Sequence, residues 1–430
     1  VRGYSSHCLE SQSLDKTIST GRTIDDGKSR IGSLDAIRAW AFLCLVPVVV
    51  QSYALVTTSG NVSLSSPLSG ADGVIWILLQ IFCADIGFIL LVVAFGAGLK
   101  LHTQRQNVRP QKGRAQQRRR MKAFIAVGIL LFALLGADPT FIALGLIGIL
   151  SHRFIKWHNR KQLVLGTACI VVTAFMFAAL AEILSLRAPD LMMEYGLSEM
   201  RLPIRIKPEF LALAQSGWTE QFLARLQPNI LAVNGAVAGQ MTLIGLGLAL
   251  LGAAAMDRGL LTGGLPASRY VMMIAVGLGL GVPLSLVGIL TAVSQAWEPP
   301  FLMGFGGLLK GIGSLLLTAA FASFVILVFK RGWFRRGRRM LERLGRSTLT
   351  WSILGLFFLA FYHHGYGLGH AGSGDRIAMI QFVALIWILI GVTSYFWFKY
   401  FHYGPFEWAL RYWANETRPP LARLDKIFAP

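Results

Sequence analysis

The chain has 430 residues, of which 54% are hydrophobic and only 14% charged, with a formal net charge of +20. A soluble domain usually carries about 25% charged residues, so long apolar runs separated by short charged blocks exclude an ordinary soluble enzyme and fit a membrane protein. The basic blocks abut apolar runs and contain no aromatic stacking platform, so they read as topology determinants that touch anionic lipid headgroups, with no nucleic acid partner.

In chain order, residues 1–30 are rich in Ser and Thr, mixed in charge and without an apolar core, and they read as a disordered cytoplasmic tail rather than a signal peptide. Apolar runs long enough to span follow at 36–56, 74–99, 121–137, 139–155, 162–184, 229–254, 270–290, 304–329, 349–363 and 377–398. The expectation is an all-α polytopic integral membrane protein with about ten transmembrane helices. Its membrane domain covers 31–401, and residues 402–430 form an amphipathic foot and tail on the inner leaflet.

Residues 123–150 admit either one long span or a hairpin broken at Asp138-Pro139. Proline removes a backbone donor and disfavours helix at the residue before it, and an aspartate in mid-bilayer is costly. With a hairpin, most of the 41 Lys and Arg fall on one side, while 57–72, the turn at 138 and 291–303 carry none. Positive loops face the cytoplasm, which puts both termini inside a bacterial cytoplasmic membrane. Segment 185–228 is too polar to span; Leu191-Met192-Met193 and Phe210-Leu211-Ala212-Leu213 suggest short amphipathic helices on the outer surface, as plain packing or as a lid.

The 46 glycines read as helix-packing devices, as in Gly307-xxx-Gly311 and the Gly277/Gly279/Gly281 ladder, and such faces leave room for a homo-oligomer. Cys44, Cys83 and Cys169 lie in apolar runs as small core residues, and no spacing suggests a metal site. No nucleotide-binding glycine loop is present, which argues against ATP-driven transport by this chain alone.

Charge within lipid is expensive, so polar residues at membrane depth and at span ends are the informative ones. Asp35 and Arg38 share a helical face at the start of the first span; they are either a cap and topology anchor or a phosphate grip. Glu407 and Arg411, spaced i,i+4, lie in the foot behind Gly404-Pro405. On the outer side are Asp138, the His363-His364 pair, His370 and Asp375, where a histidine near neutral pKa can relay a proton. Neighbouring His363 and His364 point to different faces. Lys310 lies about two turns into its span, either snorkelling outward or facing a polar cavity.

Several of these stretches resemble the YeiB-type family of bacterial membrane proteins. Leu34-Asp35-Ala36-Ile37-Arg38 is similar to its LDxxRG start, Phe95-Gly96-Ala97-Gly98-Leu99 to FGxGL, and Arg119-Arg120 with Gly128 and Asp138 to its basic block, glycine and outward aspartate. Gly345-Arg346-Ser347-Thr348-Leu349-Thr350 resembles GRxxLT, and Tyr403-Gly404-Pro405-Phe406-Glu407-Trp408-Ala409-Leu410-Arg411 resembles YGPxEWxxR. The resemblance runs over roughly 30–415. Ala39 replaces a usual glycine, and Gln51 stands where related acyltransferases have a histidine.

That family is grouped by resemblance with transmembrane acyltransferases such as the heparan-glucosaminide acetyltransferases. The resemblance implies acyl transfer from a cytoplasmic donor, an acyl-CoA co-substrate, to a small-molecule, lipid or glycan acceptor. Arg38, Arg346 and Arg411 would clamp the donor with Asp35 and Glu407 as orienting partners, and Asp138, His363 or His364 would act as base. A carrier of a small amphipathic molecule and a non-catalytic membrane scaffold are the competing expectations.

Overall fold

The computed structural model describes residues 31–54, 70–105, 110–187, 208–295, 300–372 and 376–415. Every regular element there is helical: α1 (Gly32–Ala54), α2 (Gly70–Leu79), a π-helical turn (Gln80–Ala84), α3 (Asp85–Arg105), α4 (Pro110–Leu135), α5 (Thr140–Phe154), α6 (Asn159–Arg187), α7 (Pro208–Gln215), α8 (Trp218–Arg225), α9 (Pro228–Asp257), α10 (Ala267–Ser294), a second π turn (Pro300–Phe305), α11 (Gly306–Arg331), α12 (Arg335–Arg346), α13 (Thr348–His363), α14 (Arg376–Tyr400) and α15 (Pro405–Asn415). The all-α polytopic membrane architecture expected from the apolar runs holds.

The span count is lower than the expected ten. Among the described residues seven helical stretches are long and apolar enough to cross a membrane, and the pair α12–α13, bent by 73°, makes an eighth if taken as one span. The shortfall lies in the hairpin. α5 has 15 residues, about 22 Å of helix at 1.5 Å per residue, and the first half of α4 is densely basic. The hairpin itself is present: α4 and α5 pack together on either side of a turn in which Gly136 adopts φ 70° and Asp138 Oδ1 accepts the Thr140 N–H at 3.3 Å. Residues 330–346, read as a loop, contain the helix α12. Its Leu344 is buried with Leu341 packed beside it, while six arginines between Arg335 and Arg346 occupy the rest of its surface.

Of the 185–228 segment, the described part folds into α7 and α8, so Phe210–Leu213 is helical as expected; Leu191–Met193 lie outside the described residues, as do 1–30 and 416–430. The foot is α15.

Several apolar clusters hold the helices, and two of them bear on the site. One gathers Phe42, Val46 and Val50 of α1, Leu131 and Leu135 of α4, Ile353 and Leu359 of α13, and Val383 and Ile386 of α14. The other joins Val92 of α3, Ile147 of α5 and Leu248 of α9. Glycine sets the closest contacts: a Cβ at Gly96 would strike the Ala249 backbone, and one at Gly252 the Val93 backbone, so α3 and α9 touch main chain to main chain. Gly277 and Gly281 face α11 in the same way, whereas Gly279 and Gly311 open onto free space and Gly307 meets Leu302 at the second π turn. The working small-residue stripe is thus Gly277/Gly281 against Gly313, spaced by four as one helix face requires. Outward faces are apolar, with Val164 71% and Phe175 70% exposed on α6, the surface that lipid solvates.

Candidate functional site

Three groups of polar residues stand out, one at each end of the helices and one at mid-depth. At the basic end, Asp35 sits in the first turn of α1, where a carboxylate suits the helix dipole. Its Oδ1 accepts from Arg38 Nη1 at 3.1 Å and its Oδ2 lies 3.8 Å from Arg346 Nε. Glycines make this possible. A Cβ at Gly345 would overlap the Asp35 main chain, and one at Gly98 would overlap the Arg38 guanidinium. The GRxxLT and FGxGL glycines thus serve the aspartate and arginine of the first motif.

Glu407 of the foot is taken up by α13: its Oε1 accepts the Thr350 N–H at 3.1 Å, its Oε2 accepts the Thr350 hydroxyl, and Thr350 Oγ1 accepts the Phe406 N–H at 3.2 Å. The carboxylate therefore caps the α13 N-terminus from another element. Gly404 leaves room for it, since a Cβ there would meet both Glu407 and Thr350. Burial pushes the Glu407 carboxyl above the usual range, and the Thr350 bonds pull it back part of the way. Arg411 lies over the Tyr403 ring at 4.4 Å. Arg120 of α4 feels the charges of Arg411, Arg38 and Glu407. The expected donor-side residues Asp35, Arg38, Arg346, Glu407 and Arg411 are thus brought to one end, and Arg120 joins them. Arg120 was legible only as part of a basic block.

At the opposite end the polar side chains are engaged with the last turn of α4, whose carbonyls have no partners within the helix. Arg225 Nη1 donates to Ala133 O (3.2 Å) and Leu134 O (3.0 Å), Trp218 Nε1 to Leu134 O (2.9 Å), and the Tyr53 hydroxyl to Leu135 O (3.2 Å). Arg225 Nη2 also donates to Gln221 Oε1 at 2.9 Å. The His364 ring sits 5.4 Å from that of Tyr53 and 5.3 Å from that of Tyr366. Burial, with Arg225 close by, pushes His364 down to about 4. Asp138 is exposed at the hairpin turn and acts electrostatically on Tyr53.

His363 is elsewhere. It is buried, its Nδ1 is 3.0 Å from Leu359 O, and it packs among Tyr362 and Phe382, with His370 stacked on Tyr362. The two rings do point apart, and only His364 shares a neighbourhood with Asp138. Asp375 lies outside the described residues.

The third group is at mid-depth. Lys310 Nζ donates to Gln80 Oε1 at 2.8 Å and lies 3.3 Å from Asp85 Oδ2, which also accepts from Ser314 Oγ at 3.0 Å. Lys310 is thus paired with Gln80 and Asp85 at depth rather than snorkelling outward. Asp85 was missed, because nothing in its local sequence announces a partner so far along the chain. A π turn directly before it was the missing signal. Nearby, Phe321 stacks on Trp40 and meets Phe82 edge-on, which links α1, the first π turn and α11.

Residues 255–417 match the family described as Protein of unknown function (DUF418). Over 400 residues the chain is 22% identical to "Uncharacterized protein YeiB" of Escherichia coli (strain K12), covering 88% of this chain and 94% of that protein. The chain therefore carries a DUF418 region and is a distant homologue of YeiB over most of its length, as the motifs implied, and it is a multi-pass membrane protein related to a bacterial one.

Proposed function

We propose that this DUF418-bearing homologue of YeiB is a membrane-embedded acyltransferase of the bacterial cytoplasmic membrane, with its basic end inward, that takes its acyl group from an acyl-CoA. The observation that carries the reading is a cluster of guanidinium charge at the basic end. Arg38 and Arg346 share the carboxylate of Asp35, Arg120 stands in the field of Arg38 and Arg411, and both oxygens of Glu407 accept from Thr350. Converging fixed arginines suit a multiply charged phosphate ligand, which guanidinium grips bidentately. In the reaction the thioester C–S bond breaks, a C–O or C–N bond forms to the acceptor, the acceptor's proton passes to a base, and the departing thiolate is protonated. Asp138 and His364 are the candidate bases at the far end; burial and the nearby Arg225 lower His364 to about 4, so it is neutral near pH 7 and holds a proton only weakly.

The test is acyl-CoA affinity of wild type and Arg38→Lys in detergent, each with a melting curve. Lysine keeps the charge and loses the planar fork, so melting should be unchanged. One charge-assisted bidentate contact is worth roughly 1.5–3 kcal/mol, so affinity should fall about tenfold or more. Equal affinity in the variant, or none in wild type, sinks the reading. The orientation has its own test: Asp138→Cys should react with a membrane-impermeant maleimide added outside intact cells.

A further inference from the structure

From the mid-depth cluster we infer a lateral binding site for an amphiphile that presents a hydroxyl or amino group to Asp85 from within the membrane. The site goes beyond the acyl-transfer reading and does not rest on it. Asp85 lies about 22 Å along the helix from Gly70 and about 30 Å from Arg105, well inside the span Gly70–Gln104. Charges at that depth are costly and mark functional sites. Here Lys310 and the Ser314 hydroxyl converge on one carboxylate oxygen, Oδ2, and Lys310 also donates to the amide oxygen of Gln80.

The other oxygen, Oδ1, forms no hydrogen bond among the described residues, and the Asp85 side chain is 39% exposed. A carboxylate oxygen facing hydrocarbon is unstable without a donor. Because Oδ1 only accepts, its occupant must donate, which admits a hydroxyl or an amine and rejects a carboxylate or phosphate at that point. The surroundings name the rest of the molecule. Leu78 on the α2 side, with Phe305, Leu308 and Ile312 on the α11 side, are exposed apolar side chains close in sequence to the four polar residues. An occupant with its chain among the lipids and its donor at Asp85 satisfies both.

The backbone is built around this arrangement. In a regular α-helix Gln80 and Asp85, five apart, would lie about 140° from each other around the axis. The π turn Gln80–Ala84 stacks residues five apart, so both reach Lys310. The second π turn, kinked at Gly304, immediately precedes the helix that carries Lys310 and Ser314. Two such turns flanking one ion pair are an independent sign of a site, since π turns concentrate where function requires them.

The experiment uses the full chain in nanodiscs without acyl-CoA. The probe is a long-chain primary alcohol with an alkyl diazirine near its hydroxyl, and adducts are mapped by mass spectrometry. Adducts should concentrate at least fivefold on Gln80–Phe88 and Phe305–Ser314 over the lipid-facing stretch around Phe175. 1-Dodecanol and dodecylamine should compete, and n-dodecane should not. The double variant Asp85→Asn/Lys310→Met, which removes both charges together so that neither is left buried alone, should keep its melting temperature and lose the enrichment. Labelling spread evenly along the lipid face, equal competition by n-dodecane, or enrichment that survives in the folded double variant overturns the site. If the enrichment appears while acyl-CoA fails to bind, the site stands and the acyltransferase reading falls. If acyl-CoA binds without enrichment, the reverse holds.

Discussion

The two ends of the molecule use arginine in opposite ways. Opposite the basic end, Arg225 is committed to protein: it closes two carbonyls of α4 and one glutamine oxygen, and a tryptophan and a tyrosine finish the same helix end. At the basic end, Arg38 and Arg346 divide one aspartate between them, and Arg120 stands in the field of Arg411, Arg38 and Glu407. Side-chain type alone therefore does not separate a structural arginine from one kept for a ligand. What separates them is the kind of partner: backbone carbonyls and an amide oxygen at one end, one shared carboxylate among clustered guanidinium groups at the other.

The comparison can be broken most forcefully at Arg225. Arg225→Met leaves the Ala133 carbonyl and Gln221 Oε1 without that donor at a partly buried helix end, while Leu134 O keeps Trp218 Nε1. At about 1–3 kcal/mol per unsatisfied group, the loss should be about 3 kcal/mol and visible as a clear fall in melting temperature, with acyl-CoA affinity unaffected. A variant that melts like wild type would mean that the arginine is not a cap.

A pH series sharpens the same end. The folded pKa of His364, about 4, lies below its ordinary value of 6.5, so the unfolded chain binds more protons between those values. The stability that His364 contributes is complete above pH 6.5 and is lost as pH falls toward 4. Discounted for partial exposure, this amounts to about 2 kcal/mol. His364→Gln should remove that part of the slope, and melting curves of the two proteins from pH 7 to pH 4 check it: parallel curves would show that the ring is not held neutral by its surroundings.

The smallest effect is expected at Glu407. Glu407→Gln keeps an oxygen for the Thr350 N–H and loses the partner of its hydroxyl, about 1 kcal/mol. Because this carboxylate serves α13 rather than the arginines, acyl-CoA affinity should change less than for Arg38→Lys. A larger change in affinity would make Glu407 an orienting partner of the clamp after all.

The basic end was legible in the sequence because its motifs announce themselves locally: charges at the start of an apolar run, a glycine beside an arginine, a Gly-Pro stop before a new helix. The hairpin was legible for a similar reason, since Pro139 and the spacing of basic blocks act at short range. The Asp85–Lys310 pair was not, because it depends on a π turn that no periodicity marks, and α12 was hidden because a dense basic run looks like a loop until Leu341 and Leu344 are seen packed. The choice of Gly307 and Gly311 failed on direction. Spacing states which residues share a face and leaves open what that face meets.

The shortness of the α4–α5 hairpin has a consequence for the bilayer. The apolar part of α4 begins near Ala123, and α5 has 15 residues, whereas the hydrocarbon slab is about 30 Å thick. The deficit is about 8 Å for α5 at 1.5 Å per residue. Such hydrophobic mismatch is relieved by local thinning of the lipid or by flanking residues that reach to the interface. Thinning around this hairpin would draw the membrane in toward the Gly136–Pro139 turn. A protein that thins its own annulus should respond to lipid chain length, with melting temperatures higher in short-chain than in long-chain bilayers.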